Sequence, residues 1–203
     1  MKRETNKNRR GIKGIQPDIR YLKDMKEVVY DKDFTKKYPN LELYYMYRGI
    51  DRIDDLRYDI TIMPSQMLGE EFVKTKGHSH LSEMQELYTV LEGEAIFLMQ
   101  KGKGKIIEDV VVIKAKKGEW VIVPPGYAHI TINPSKKELK MANWVHERCK
   151  SFYEDIRKIQ GACYYFTQSG WIKNKNYKKI PPLRFEKPLK EKPKDLDFLK
   201  EKR

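Results

Sequence analysis

The chain has 203 residues, 39% apolar and 35% charged, with a net charge of +13. That length suits one domain with terminal extensions or a small pair of domains, and it can bury a core without disulfide staples. No apolar run approaches the roughly 18 residues a membrane-crossing helix needs, which excludes the helical membrane class.

The charge is unevenly placed. Residues 1–14 carry +5 and residues 171–194 carry +7, while the last nine sum to zero, leaving about +1 on residues 15–170. Basic ends can attract nucleic acid. These ends lack the aromatic interleaving that single-strand binders use, so solvated tails are the favoured reading and nucleic acid is not expected as a partner. The basic start, MKRETNKNRRGIKGIQ, has no apolar stretch behind it and does not read as a secretory signal. Cys149 and Cys163 make no disulfide framework and show no metal-type spacing. A cytoplasmic location is expected, with no membrane partner.

In chain order, residues 1–17 read as a flexible basic arm. LELYYMYRG alternates and is rich in tyrosine, which predicts a strand. RYDITIMPS sets Tyr58, Ile60 and Ile62 at every second position, a strand ended by Pro64. EFVKTKGHSH reads as a strand carrying two histidines. ELYTVLEGEAIFLMQKGKG reads as two strands joined at Glu92–Gly93. VVVIKAKKG, EWVIVPPG, HITINPS and KMANWVHE continue the pattern, with Gly118 and Pro124-Pro125-Gly126 as breakers. Short strands at roughly 8- to 12-residue spacing predict a β-sandwich or barrel. Residues 151–161, SFYEDIRKIQG, predict a short helix closed by Gly161. The body is then 18–170. Residues 171–203 form a basic C-terminal extension, poorly ordered from Pro188.

Three histidines and one glutamate stand out. If residues 75–81 form a strand, its period of two puts His78 and His80 on one face, as two ligands of one ion require. Glu86 begins the next apolar run and can close a third position. His129 follows the Pro124-Pro125-Gly126 breaker. Neutral imidazoles with one carboxylate suit Fe, Zn, Mn or Ni and leave positions open. Taken singly, each histidine is more often a satisfied structural group. His146 stands apart and is expected to be structural or exposed.

The spacing adds to this. Gly77-His78-Ser79-His80, Glu86 and Gly93 resemble the first cupin motif. Gly118, Pro124-Pro125-Gly126, His129 and Asn133 resemble the second. Five residues separate His80 from Glu86, where the general pattern has three or four. Glu86 keeps the distance to Gly93 and is preferred over Glu83. The resemblance implies an all-β fold, a double-stranded β-helix (jelly-roll) barrel with the metal inside.

A narrower resemblance is carried by Thr75-Lys76-Gly77-His78-Ser79-His80 with Glu86-Leu87-Tyr88, by Val123 to Asn133, by Leu56 to Gly69, and by Arg20 to Met25. These blocks are similar to the archaeal cupin-type glucose-6-phosphate isomerases. That family implies a metal-dependent interconversion of glucose 6-phosphate and fructose 6-phosphate, serving glycolysis or gluconeogenesis. It implies one divalent metal ion per subunit, on His78, His80, Glu86 and His129. It implies catalytic roles for Glu86 and Tyr88, and a substrate site formed by Tyr44, Thr61, Thr75, Gly77, Tyr88 and Tyr153. Lys76 is expected to point away from that site. A homodimer is also implied. The chain departs from the family at Ser151, where a histidine is usual two positions before the tyrosine matched by Tyr153. Two other readings use the same ligand set: a non-enzymatic metal or sugar-phosphate-binding cupin, and an iron-dependent dioxygenase.

Overall fold

In the computed structural model, which describes residues 11–81 and 83–200, two sheets pack face to face. The larger has six strands, in the order Asp18–Tyr21, Glu42–Ile53, Leu56–Met63, Leu139–His146, Glu86–Glu92 and Trp120–Val123. The smaller has four, in the order Ala128–Ile132, Glu94–Lys103, Ile106–Lys116 and Arg184–Glu186. Only the last of these runs parallel to its neighbour within the two sheets. Gly93 makes the tight corner between two long strands, at φ +80 and with room for no side chain: an added Cβ would lie 2.6 Å from the Glu138 carbonyl oxygen.

Alternation decides which faces meet. Leu43, Met63, Val90 and Met141 of the larger sheet pack against Phe97, Met99, Val111 and Ile113 of the smaller in one buried core. This is the jelly-roll barrel that the motifs imply, and the strands expected between residues 42 and 146 are present except the one expected over EFVKTKGHSH, of which only Glu71–Phe72 and Ser79–His80 are strand. The two α-helices among the described residues, Lys32–Lys37 and Glu154–Lys158, are short. The second lies inside the helix expected at 151–161. Residues 151 and 152 instead form a strand paired with Ser79–His80. No helix among the described residues is long and apolar enough to cross a membrane.

The ends differ from expectation. Residues 1–10 of the expected arm lie outside the described residues. Ile12 and Ile15 pack with Tyr45, Tyr47 and Ile62 on the larger sheet. The boundary expected at residue 170 falls inside a hairpin of Tyr164–Thr167 with Gly170–Lys173. Beyond Pro188 the chain packs on the barrel instead of trailing from it. Leu189 and Trp120 exchange backbone hydrogen bonds at 2.8 and 2.9 Å. Leu199 is fully buried against Leu56, Leu87 and Trp144. These three side chains alternate with cavity-lining Arg57, Glu86 and Asn143, so they point out of the barrel. The reason is compositional: Leu196, Phe198 and Leu199 are apolar residues in a charged segment, and they cover an apolar outer face.

Candidate metal centre

One cavity inside the barrel holds the candidate residues. His78, His80, Glu86 and His129 each offer a ligand atom, and these atoms lie within 4.8 Å of one another. Local structure brings them together in different ways. Glu86 opens the Glu86–Glu92 strand, opposite Val123. His129 sits in Ala128–Ile132, after the turn closed by the Tyr127 N–H to the Pro124 carbonyl at 3.4 Å. His80 belongs to the two-residue strand Ser79–His80, directly opposite Ser151. His78 lies outside any strand and forms a backbone bridge with His129.

The expected continuous strand over residues 75–81 is therefore absent. Gly77 breaks it, at φ +82, with Ile130 Cγ1 where a Cβ would sit 2.6 Å away. The break also overturns the placement of Lys76. Its side chain lines the cavity, with Nζ 5.6 Å from the centre of the Tyr153 ring. The alternation that would turn it outward needs an unbroken pleat.

The polar groups of the cluster point toward one another. His80 Nδ1 stands 3.0 Å from the Met84 carbonyl oxygen. A carbonyl only accepts, so Nδ1 carries a proton, and Nε2 is the nitrogen turned inward, free to ligate when the ring is neutral. Glu86 Oε2 lies 3.2 Å from His80 Nε2 and 3.2 Å from His129 Nε2. That oxygen is buried without a hydrogen-bond partner. Two imidazole nitrogens and a carboxylate oxygen thus converge in a buried site, where the carboxylate charge needs a cation or proton beside it. A divalent ion fits the donor set, since all four are oxygen or imidazole nitrogen. His129 Nδ1 is also buried without a partner, so the polar neighbours of that ring are reached through Nε2.

Without an ion, a proton meets part of the need. Burial opposes charge on His80, but the Cys149 side chain and the Glu86 carboxylate outweigh it and push this imidazole up to about 10. Burial and the adjacent His129 push His78 well below the ordinary imidazole value. Burial alone would raise Glu86, yet His129 and His80 hold it well below the usual carboxylate range. Tyr88 Oη is 3.3 Å from His129 Nε2. Burial, then the Glu86 charge, raise its phenol well above the ordinary value.

Tyr44, Thr61, Thr75, Gly77, Tyr88 and Tyr153 all line this same cavity. Tyr44 is buried, and its Oη accepts from the Lys76 N–H at 3.2 Å. Thr75 Oγ1 accepts from the Thr131 N–H at 3.0 Å. The Tyr153 ring is 5.5 Å from the His78 ring. Glu83 is exposed and outside the cluster. His146 is buried outside the cavity, its Nδ1 accepting from the Arg148 N–H at 3.2 Å, a structural role. Sequence reasoning missed Arg57, Asp59, Asn143 and Cys149, which line the cavity too. Arg57 and Asp59 precede Thr61 at period two, and that alternation was a usable signal. Arg57 Nε grips both Asp59 oxygens at 2.9 and 3.0 Å, and Arg48 Nη1 lies 3.6 Å from the same carboxylate.

A family model described as glucose-6-phosphate isomerase (GPI) matches residues 6–182. The glucose-6-phosphate isomerase of Thermococcus litoralis is 31% identical over 132 residues, 62% of this chain and 67% of that protein. That of Pyrococcus furiosus is 31% identical over 128 residues, 60% of this chain and 66% of that protein. The chain therefore spans about two thirds of the length of these curated relatives. Among solved structures, the cupin domain of Schizosaccharomyces pombe Cnp3 aligns with a TM-score of 0.38 at 12% identity, covering 50% of this chain and 62% of that one.

Proposed function

The chain belongs to the glucose-6-phosphate isomerase family, and from that premise we propose that it interconverts glucose 6-phosphate and fructose 6-phosphate at one divalent metal ion held by His78, His80, Glu86 and His129. The observation that carries this reading is the convergence of four donor atoms within 4.8 Å, in a cavity also lined by hydroxyls and cations suited to a sugar phosphate. A bound divalent ion supplies polarisation of the open-chain sugar's carbonyl group.

The chain's own residues supply the rest. Thr75 already accepts a hydrogen bond through its oxygen, so its own proton is left for a phosphate oxygen. Lys76 adds the charge that the threonine hydroxyls lack. Arg57 pairs with Asp59, and Arg48 with Asp59 and Asp18, so these arginines are balanced by carboxylates and Lys76 is the cation of the cavity left to favour an anionic substrate. Tyr88, with its raised phenol, stays protonated near neutral pH and can donate to a sugar oxygen. Glu86 can take a proton from the sugar carbon only through an oxygen that the ion leaves free. Tyr44 and Tyr153 wall the cavity and limit water. The metal's identity among Fe, Zn, Mn and Ni, pairing of two copies and a cytoplasmic location belong to this reading through the family resemblance.

The test is a coupled isomerase assay on chelator-stripped protein reloaded with each of the four metals. Interconversion that depends on metal supports the proposal, and its absence with every metal overturns it. Tight sugar-phosphate binding without turnover would make the protein a binding cupin. Oxygen uptake would make it a dioxygenase.

A further inference from the structure

We propose that Asn143 is a positioning residue of the metal centre, holding one oxygen of Glu86 so that the other alone faces the ion. The inference rests on the reading of the four-residue cluster as a metal site. Asn143 lies in the Leu139–His146 strand, a polar residue in the otherwise apolar run Met141-Ala142-Asn143-Trp144-Val145. It is 7% exposed. The register sets it opposite Tyr88 on one side and Asp59 on the other, while Val145 opposes Glu86. Asn143 and Glu86 are therefore diagonal neighbours on the cavity face.

The contact is specific. Asn143 Nδ2 donates to Glu86 Oε1 at 2.7 Å. Glu86 Oε2 has no such partner and is the oxygen 3.2 Å from both imidazoles. A carboxylate at a metal can offer one oxygen or both, and its torsion decides which. A buried, charge-assisted amide bond to Oε1 holds that torsion. Such outer partners orient the ligand and tune the ion. The same bond withholds Oε1 from the substrate, so Glu86 can accept a proton through that oxygen only by releasing Asn143.

A merely structural role predicts a different outcome. There, Asn143 would only satisfy a buried carboxylate, and its loss would lower stability without altering how metal is held. Cobalt separates the two, because its visible spectrum reports the ligand arrangement independently of turnover. Co²⁺ is titrated into chelator-stripped full-length protein, as wild type, Asn143→Leu and Asn143→Ala. Folding is checked by circular dichroism. Leucine keeps the volume without the donor, and alanine only enlarges the cavity, so at least the latter should fold. The expected result is about 10- to 100-fold weaker Co²⁺ binding in the variants, with a band shape different from wild type as Oε1 turns to the ion. A folded variant with wild-type affinity and spectrum overturns the inference while leaving the metal site intact. A wild type that takes up no Co²⁺ overturns the metal reading and the inference with it.

Discussion

His78 and His129 exchange both of their backbone hydrogen bonds, the His78 N–H to the His129 carbonyl at 3.2 Å and the reverse at 2.9 Å. One donor from each of the two sequence motifs is thus fixed by main chain. Main-chain bonds do not depend on the identity of neighbouring side chains, so this pair preorganises half of the centre.

Removing a ligand outside that pair tests the centre most directly. In His80→Ala, metal content and isomerase activity should fall together, each by more than the roughly 10- to 100-fold typical of losing an outer partner. Elemental analysis and a coupled assay on the same preparation read both. Activity that survives without bound metal would refute the mechanism.

Gly77→Ala attacks the turn that delivers His78. The left-handed backbone at φ +82 costs a non-glycine residue about 1–2 kcal/mol, and the 2.6 Å approach to Ile130 adds overpacking of about 1–3 kcal/mol. At roughly 2–4 °C per kcal/mol for a chain of this size, the melting temperature should drop by about 10 °C. A change below about 2 °C would show that the turn tolerates a side chain.

Lys76→Met separates substrate charge from metal. KM for the sugar phosphate should rise about tenfold, equivalent to about 1.4 kcal/mol, with a smaller change in kcat and no change in Co²⁺ uptake. The difference from wild type should shrink at high salt as the charge is screened. An unchanged KM would remove Lys76 from the phosphate site.

Leu199→Ala tests the packing of the C-terminal segment. Burial is complete at this position, and a cost near the lower end of the 2–5 kcal/mol range for such truncations is expected. That corresponds to a melting temperature lower by about 4–8 °C, measured by calorimetry, with room-temperature activity retained. An unaltered melt would mean that the segment contributes no stability.

The barrel was legible because alternation is local. RYDITIMPS and ELYTVLE announce strands from their own residues, and the four residues that the structure brings within 4.8 Å of one another were picked out by residue type and motif spacing. The geometry behind the His78–His80 pair was not. A period of two assumes an unbroken pleat, and Gly77 takes the chain out of it, which also turns Lys76 inward. Asn143 escaped notice because its partner, Glu86, is 57 positions away, beyond any local pattern. The buried C-terminal segment was hidden for a related reason. Its three apolar residues acquire meaning only once Leu87 and Trp144 are known to face outward while Glu86 and Asn143 face the cavity.

That outward patch has a consequence for how the molecule comes into being. Leu196 and Leu199 are synthesised after every strand they cover, including the Glu86–Glu92 strand that carries a candidate metal ligand. During translation, the barrel strands can pair while Trp144, Leu87 and Leu56 still stand bare. The nascent chain therefore passes through a stage with a sticky apolar surface, the kind of species that chaperones hold and that aggregates when crowded. Closing this surface joins residues far apart in sequence, a slow class of contact, so residues 196–199 can cover it only after the strands beneath them have been made.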